Sequence, residues 1–175
     1  MGTEIERKFL LADDSWRGQV ERSLRMEQGY LVDPAAFEAG FARCSVRVRI
    51  AGDAAWLNVK SARLGIERSE YEYPLPLADA GEMLQALCRG RVCKIRYFVL
   101  VEGHTFEIDE FSGDNQGLVV AELELSASDA DYPRPAWLGR EVSHLPRYYN
   151  VNLIAHPFAQ WTPQERAGNE EDGCC

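Results

Sequence analysis

The chain has 175 residues, 46% of them hydrophobic and 27% charged, enough for a single domain with a proper core. Its formal net charge is −9, so no overall field draws it to nucleic acid, and a polyanion would bind only where basic residues are gathered locally. No apolar run approaches the length of a bilayer span, and the opening residues, which include Glu4 and Glu6, do not read as a signal peptide; together these features point to a cytoplasmic protein that does not enter a membrane.

Short alternating segments separated by turn-like clusters predict antiparallel β structure. In chain order the segments are 3–10, 25–32, 44–51, 55–62, 67–74, 92–100, 104–111 and 117–126. Ala51, Gly52 and Asp53 join the third to the fourth, Gly65 lies between the fourth and fifth, and Gly103 between the sixth and seventh. Asp79 is placed to cap a helix running to Arg89, with Met83, Leu84 and Leu87 on one face and Gly90 as its stop. A short helix carrying Val151, Leu153 and Ile154 is expected after Tyr149, limited by Pro157, and Pro133 and Pro135 mark a loop before Trp137. The domain is expected to span 1–160, followed by a flexible acidic tail over 161–175, because Gly168 to Gly173 is acidic and lacks large apolar residues. Five cysteines, an odd number with no Cys-x-x-Cys pair, argue against a zinc site or a disulfide framework.

In a strand, residues i, i+2 and i+4 share one face. Glu4, Glu6 and Lys8 therefore oppose Ile5 and Phe9; Arg47 and Arg49 oppose Val46, Val48 and Ile50; and Asn58 and Lys60 oppose Leu57 and Val59. The same alternation sets Arg68, Glu70 and Glu72 against Tyr71 and Tyr73, and Lys94 and Arg96 against Cys93, Ile95 and Tyr97. It sets Glu107 and Asp109 against Phe106 and Ile108, and Glu122 and Glu124 against Ala121, Leu123 and Leu125.

For any one strand, the plain reading is a solvent-exposed face opposite a buried one. Repetition through nearly every strand asks for more, because lysine and glutamate are poor strand formers and like charges two residues apart repel. An even-numbered set of strands that closes on itself would turn the apolar faces outward and line a central channel with both signs of charge. So mixed a lining is costly unless something is bound there. Carboxylate pairs suit Mg²⁺ or Mn²⁺, and arginine and lysine suit phosphate oxygens, so the combination matches a metal–polyphosphate complex. His104, His144 and His156 stand outside the alternating set, the tryptophans read as core or lid residues, and no Gly-x-x-x-x-Gly-Lys loop is present.

The opening Glu4-Ile5-Glu6-Arg7-Lys8-Phe9-Leu10 resembles the E-x-E-x-K signature of the CYTH superfamily, the triphosphate tunnel metalloenzymes, most closely its small bacterial inorganic triphosphatases. Gln28-Gly29-Tyr30-Leu31, Arg47-Val48-Arg49, the Lys60 segment, Glu70-Tyr71-Glu72, Lys94-Ile95-Arg96, Glu107-Ile108-Asp109 and Glu122-Leu123-Glu124 follow in the family's order, and Arg147-Tyr148 with Asn150 resembles its C-terminal motif. The resemblance implies a β-rich α+β fold, an eight-stranded antiparallel closed β-barrel with a few flanking helices, and hydrolysis of a small-molecule triphosphate with Mg²⁺ or Mn²⁺. Inorganic tripolyphosphate is the first choice of substrate; nucleoside or thiamine triphosphate hydrolysis, cyclisation of ATP as in class IV adenylate cyclases, and a non-catalytic polyphosphate-binding module are the alternatives.

The resemblance also implies roles. Glu4, Glu6, Glu122 and Glu124 would bind metal and, with Lys94, carry the catalysis, and Asp109 is a further candidate ligand. Lys8, Arg47, Arg49, Lys60, Arg68, Lys94, Arg96 and Arg147 would hold the phosphates, with Tyr30, Glu70, Glu72 and Glu107 in support. Tyr149 stands where the family often has a smaller or a basic residue. The oligomeric state is left open, a homodimer being one option.

Overall fold

In the computed structural model the described residues are 2–33, 35–61 and 67–168, with the backbone alone described for 2, 3, 37, 38, 67 and 68. They form strands β1 (Gly2–Leu11), β2 (Val20–Tyr30), β3 (Cys44–Ala51), β4 (Ala54–Ser61), β5 (Glu67–Leu75), β6 (Arg91–Val101), β7 (His104–Phe111), β8 (Val119–Glu124) and β9 (Leu138–Glu141). The α-helices are α1 (Ala35–Glu38), α2 (Leu77–Ala86), α3 (Asn152–Ala155) and α4 (Pro163–Arg166). The strands make one nine-stranded antiparallel sheet in the order β5-β4-β3-β2-β6-β7-β8-β1-β9, and β5 pairs in addition with β1. No helix among the described residues is long and apolar enough to cross a membrane.

Each strand expected from alternation is present. β2 begins earlier than expected, at Val20, because its polar first half is held by β6 through the Val20↔Val99 to Arg25↔Ile95 register. β9, not foreseen, is only four residues long and pairs with β1 through Phe9↔Glu141 and Leu11↔Leu138. Tight turns follow glycine: Gly52 (φ 58) joins β3 to β4, and Glu102-Gly103 (φ 48 and 81) joins β6 to β7 as a two-residue turn with both central residues left-handed. α2 starts after Pro76, so Asp79 sits in its first turn rather than at its cap, and the helix ends at Ala86, short of Gly90.

Three apolar clusters flank the charged faces. Phe9, Val99, Phe106, Ile108 and Leu123 project from the sides of their strands opposite the charges and are covered by Trp16 and Trp137. α2 covers Val48 and Ala55 with Ala80 and Leu84; a Cβ on Gly29 of β2 would lie 3.0 Å from the Leu84 side chain of this helix and 2.8 Å from Cys88 just beyond it. The third cluster departs from the simple inside–outside expectation. Val92, Phe111 and Val120 lie on the same strand faces as Lys94, Asp109 and Glu122, and there they pack against Leu145, Tyr148, Leu153, Phe158 and Trp161. One end of the charged face thus turns apolar and is covered by the C-terminal segment.

That segment stays packed beyond the boundary expected at residue 160. Trp161, assigned to a tail, is 4% exposed and packs edge-on against Tyr148 and Phe158. Beyond it, α4 is closed by a capping box in which the Thr162 hydroxyl accepts from Glu165 N and the Glu165 carboxylate accepts from Thr162 N. Arg166 donates to the Phe158 and Trp161 carbonyls. Residues 169–175, with Cys174 and Cys175, lie outside the described residues. Cys44, Cys88 and Cys93 are free thiols.

Two measurements test this packing. Trp161→Ala is expected to cost about 3–5 kcal/mol in urea unfolding, as for a core aromatic. The Thr162 N–H, with smaller help from His156, lowers the Glu165 carboxyl from 4.5 to about 2. A depressed carboxylate stabilises the fold fully above its ordinary value and progressively less as pH falls. Glu165→Gln is therefore expected to be less stable than the parent above pH 4.5, with the gap closing as pH falls toward 2.

Candidate active site

The charged strand faces enclose one cavity of about 240 Å³. Of the residues expected at the site, Glu4, Glu6, Lys8, Tyr30, Arg47, Arg49, Lys60, Glu70, Glu72, Lys94, Arg96, Glu107, Glu122 and Glu124 all line it. They come from β1 to β8, and register decides which of them meet: Lys8 faces Glu122 and Lys60 faces Glu70 across neighbouring strands, while Arg96 faces Asp109 behind the lining.

The charges neutralise one another in detail. Lys8 Nζ donates to Glu122 and lies 2.6 Å from Glu6. Lys60 Nζ donates to Glu4 at 2.6 Å and lies 3.3 Å from Glu70. Arg49 donates to Glu72 at 2.7 Å, and Arg96 donates to Asp109, Glu122 and Glu107. Burial presses Lys8 toward its neutral form, but Glu122 and Glu6 outweigh it and hold the ammonium above the usual lysine range. At Lys94 the balance is reversed: burial, with Arg96 beside it, lowers the ammonium despite its bond to Asp109. Burial alone would raise the Glu122 carboxyl, yet Lys8, Arg96 and Lys94 hold it well below the ordinary value.

Two parts of the lining are not satisfied from within. Nε of Arg47 and Nε of Arg49 are buried with no hydrogen-bond partner. Burial, with Arg47 next to it and Arg96 beyond, disfavours the charged form of Arg49. These are donors suited to an added anion. On the acidic side, partial burial and then Glu4, Glu6 and Glu70 raise the Glu124 carboxyl, the mark of carboxylates crowded without enough positive charge.

Among the described residues no three His, Cys, Asp or Glu side chains converge into a ready-made metal cage. The donor set nevertheless fits a hard divalent cation. It consists of carboxylate oxygens alone, and Mg²⁺ characteristically uses one or two carboxylates together with substrate phosphates and water.

Three expected residues stand apart. Asp109 is fully buried and does not line the cavity; its Oδ1 accepts from Arg96 and its Oδ2 from both Arg96 and Lys94. It braces two cations rather than offering itself to a ligand. Arg147 does not line the cavity either, and its Nη1 is buried without a partner. The backbone of Arg68 pairs with Glu4, but its side chain lies outside the described residues. Sequence reasoning gave no site role to Asn58, which is fully buried and donates to Glu70 at 2.9 Å and Glu72 at 2.6 Å, although it lies on the polar face of its strand. It also gave none to Met26, Gln28, Ser45, Asn150 or Val151, which line the cavity.

The different settings of Asp109 and Glu124 separate their roles in the metal-free protein. Asp109→Asn strips two buried cations of their carboxylate and is expected to cost about 3–5 kcal/mol. Glu124→Gln removes a crowded charge and is expected to be neutral or stabilising. Urea unfolding of both variants in chelator checks the pair.

A CYTH domain model matches residues 2–155. The chain is 43% identical over 159 residues to an inorganic triphosphatase of Acetivibrio thermocellus, covering 90% of this chain and 97% of that protein. It is 35% identical over 155 residues to an inorganic triphosphatase of Nitrosomonas europaea, covering 86% and 96%. A crystal structure of an inorganic triphosphatase superposes with a TM-score of 0.63 at 32% identity, covering 93% of this chain and 98% of that one. A Pyrococcus horikoshii protein at 18% identity and a TM-score of 0.53, covering 72% and 80%, shares the fold alone. With its ordered charged strands and a domain match over most of its length, the chain belongs to the CYTH family.

Proposed function

We propose that this protein hydrolyses a linear triphosphate, inorganic tripolyphosphate first, with Mg²⁺ or Mn²⁺, inside a closed eight-stranded barrel. The β5–β1 pairing, Gly2↔Glu70 through Ile5↔Glu67, supports closure, with β9 added outside the ring. The observation that carries the activity is a single cavity lined by seven glutamates and six lysines and arginines. Two relatives that match almost throughout are named inorganic triphosphatases, which supports the substrate class. The volume favours a compact anion: about 240 Å³ is smaller than the roughly 300–1,000 Å³ of pockets that hold drug-sized organic ligands.

Glu4, Glu6, Glu122 and Glu124 are the residues to hold the metal, with Glu70, Glu72 and Glu107 keeping the cations in place. A bound divalent cation supplies Lewis acidity at phosphate oxygens and lowers the pKa of a water. Lys8, Lys60 and Arg96 then bind and orient the phosphates as Glu6, Glu4 and Glu122, their partners inside the cavity, turn to the cation, and Arg47 and Arg49 join them while Glu70 and Glu72 hold their other sides. The buried, unpartnered Nε groups of Arg47 and Arg49 are donors for oxygens that gain charge as the anhydride breaks. Lys94, a buried lining residue whose ammonium is lowered by burial and by Arg96 beside it, is placed to hold or move a proton at Nζ. Tyr30, whose hydroxyl accepts from Gln28 at 3.3 Å, supports the same wall. Asp109 enters as the brace of Lys94 and Arg96, not as a ligand.

Phosphate release from tripolyphosphate, pyrophosphate, ATP and thiamine triphosphate, each with Mg²⁺ and with Mn²⁺, tests the reading. Release is expected to be fastest from tripolyphosphate and to need the metal; a folded preparation that releases none from it sinks the proposal. Glu4→Gln and Glu122→Gln are each expected to remove most of the activity, by about 10²-fold or more, while leaving the protein folded by circular dichroism.

A further inference from the structure

The C-terminal segment reaches the cavity at Tyr149, and there it meets Lys8. Lys8 Nζ lies 6.0 Å from the centroid of the Tyr149 ring. The ring is not loosely placed. Its hydroxyl donates to the Ser143 carbonyl at 2.8 Å. Ser143, itself buried, accepts through Oγ from the Lys8 backbone N–H at 2.9 Å and donates to Glu141 at 2.8 Å, while Val142 N donates to the Lys8 carbonyl at 2.8 Å. Tyr149 and the main chain of Lys8 thus belong to one hydrogen-bonded unit, built where the chain leaves β9 alongside β1.

Lys8 is 3% exposed, so its ammonium has exchanged water for what the protein offers. That is chiefly Glu6 and Glu122. To contact a phosphate the ammonium must leave those carboxylates, and away from them a desolvated cation needs another electron-rich surface. The face of an aromatic ring within about 6 Å is such a surface. An aliphatic side chain of similar size would fill the space without attracting the charge.

We propose that Tyr149 is a positioning residue for Lys8, its ring holding the ammonium on the phosphate side of the cavity when the carboxylates release it. This rests on the triphosphatase reading above, and predicts that Tyr149 acts on substrate affinity through Lys8 rather than on the stability of the fold.

The test is calorimetric binding, with Mg²⁺ present, of a tripolyphosphate analogue whose bridging oxygens are replaced by methylene groups, so that the carboxylates are engaged and no turnover intervenes. Tyr149→Leu is expected to weaken binding about fivefold and Tyr149→Phe, which keeps the ring, by less than about twofold. In a Lys8→Met background, Tyr149→Leu is expected to add nothing, because the group it positions is gone. With tripolyphosphate itself and Mg²⁺, KM is expected to follow the change in Kd while kcat holds. Equal weakening in the parent and Lys8→Met backgrounds, loss in Tyr149→Phe as large as in Tyr149→Leu, or unchanged binding by Tyr149→Leu would each overturn the proposal. Tyr149→Met serves in the same cycle if Tyr149→Leu does not fold. A parent protein that neither binds nor cleaves tripolyphosphate overturns the triphosphatase reading itself; a parent that binds it as tightly as Tyr149→Leu overturns this inference alone.

Discussion

The structure depends on burying many charges of both signs on one face of one sheet without leaving any of them alone. A buried ion that loses its partner costs several kcal/mol, roughly 3–5 when one member of a pair is deleted. Pairing is therefore a constraint on geometry as much as a source of stability. Lys8 meets Glu122 and Lys60 meets Glu70 only in the observed register. A slip of one residue in any strand would turn its charges to the apolar side and its apolar residues to the cavity. The covering layers reinforce the same choice, because Phe9, Ile108 and Leu123 have Trp16 and Trp137 waiting on the other side.

The same pairing explains how a cavity so evenly charged can bind anything. With its cations answered by its own carboxylates, the metal-free cavity has little net attraction for a polyanion. On the proposed function, binding would be an exchange of partners: oxygens that held lysines would turn to a divalent cation, and lysines that held oxygens would turn to phosphate. Glu4, Glu6 and Glu122 now rest against Lys60 and Lys8, so the carboxylates that would take a cation are those whose departure frees basic groups. Where the exchange is not balanced in advance, the molecule shows it. Glu124 is held up by its acidic neighbours, and Arg47 and Arg49 keep unpaired buried nitrogens.

Most of this was legible in the sequence because two-residue periodicity is an unusually direct record of geometry. Each strand that places Glu4, Arg47, Lys60, Glu70, Lys94, Glu107 or Glu122 in the cavity carries its charges in alternate positions. Periodicity assigns a face and not a depth along the strand. Asp109 and Glu107 share a face, but Asp109 lies toward the end where Phe111 and Val120 carry the apolar floor, and it is sealed in with Lys94 and Arg96. Asn58 was visible on a polar face, yet nothing local indicates that a neutral amide would bridge two glutamates. The C-terminal segment was the least legible part. Trp161 and α4 are short pieces whose order comes from docking onto Tyr148 and Phe158, and a composition rule reads the acidic residues after them as a tail.

The set of acids also bears on whether the site binds or transforms its ligand. A site built only to hold a polyanion would gain from each added cation and lose from each added carboxylate. Here the lining carries seven glutamates to six lysines and arginines, and some of those glutamates are positioned to oppose each other: Glu6 lies across from Glu124, and Glu107 across from Glu122, in direct register. Facing like charges across neighbouring strands is destabilising in a sheet, and bringing acids into an anion site raises the cost. Such an arrangement is coherent when a divalent cation accompanies the anion, because the cation then screens acid from acid and acid from phosphate. Once a cation is held against a phosphate chain beside fixed arginine donors, the groups that bind are also those that stabilise charge as the chain breaks. The acid content that would spoil a storage site is what a hydrolytic one requires.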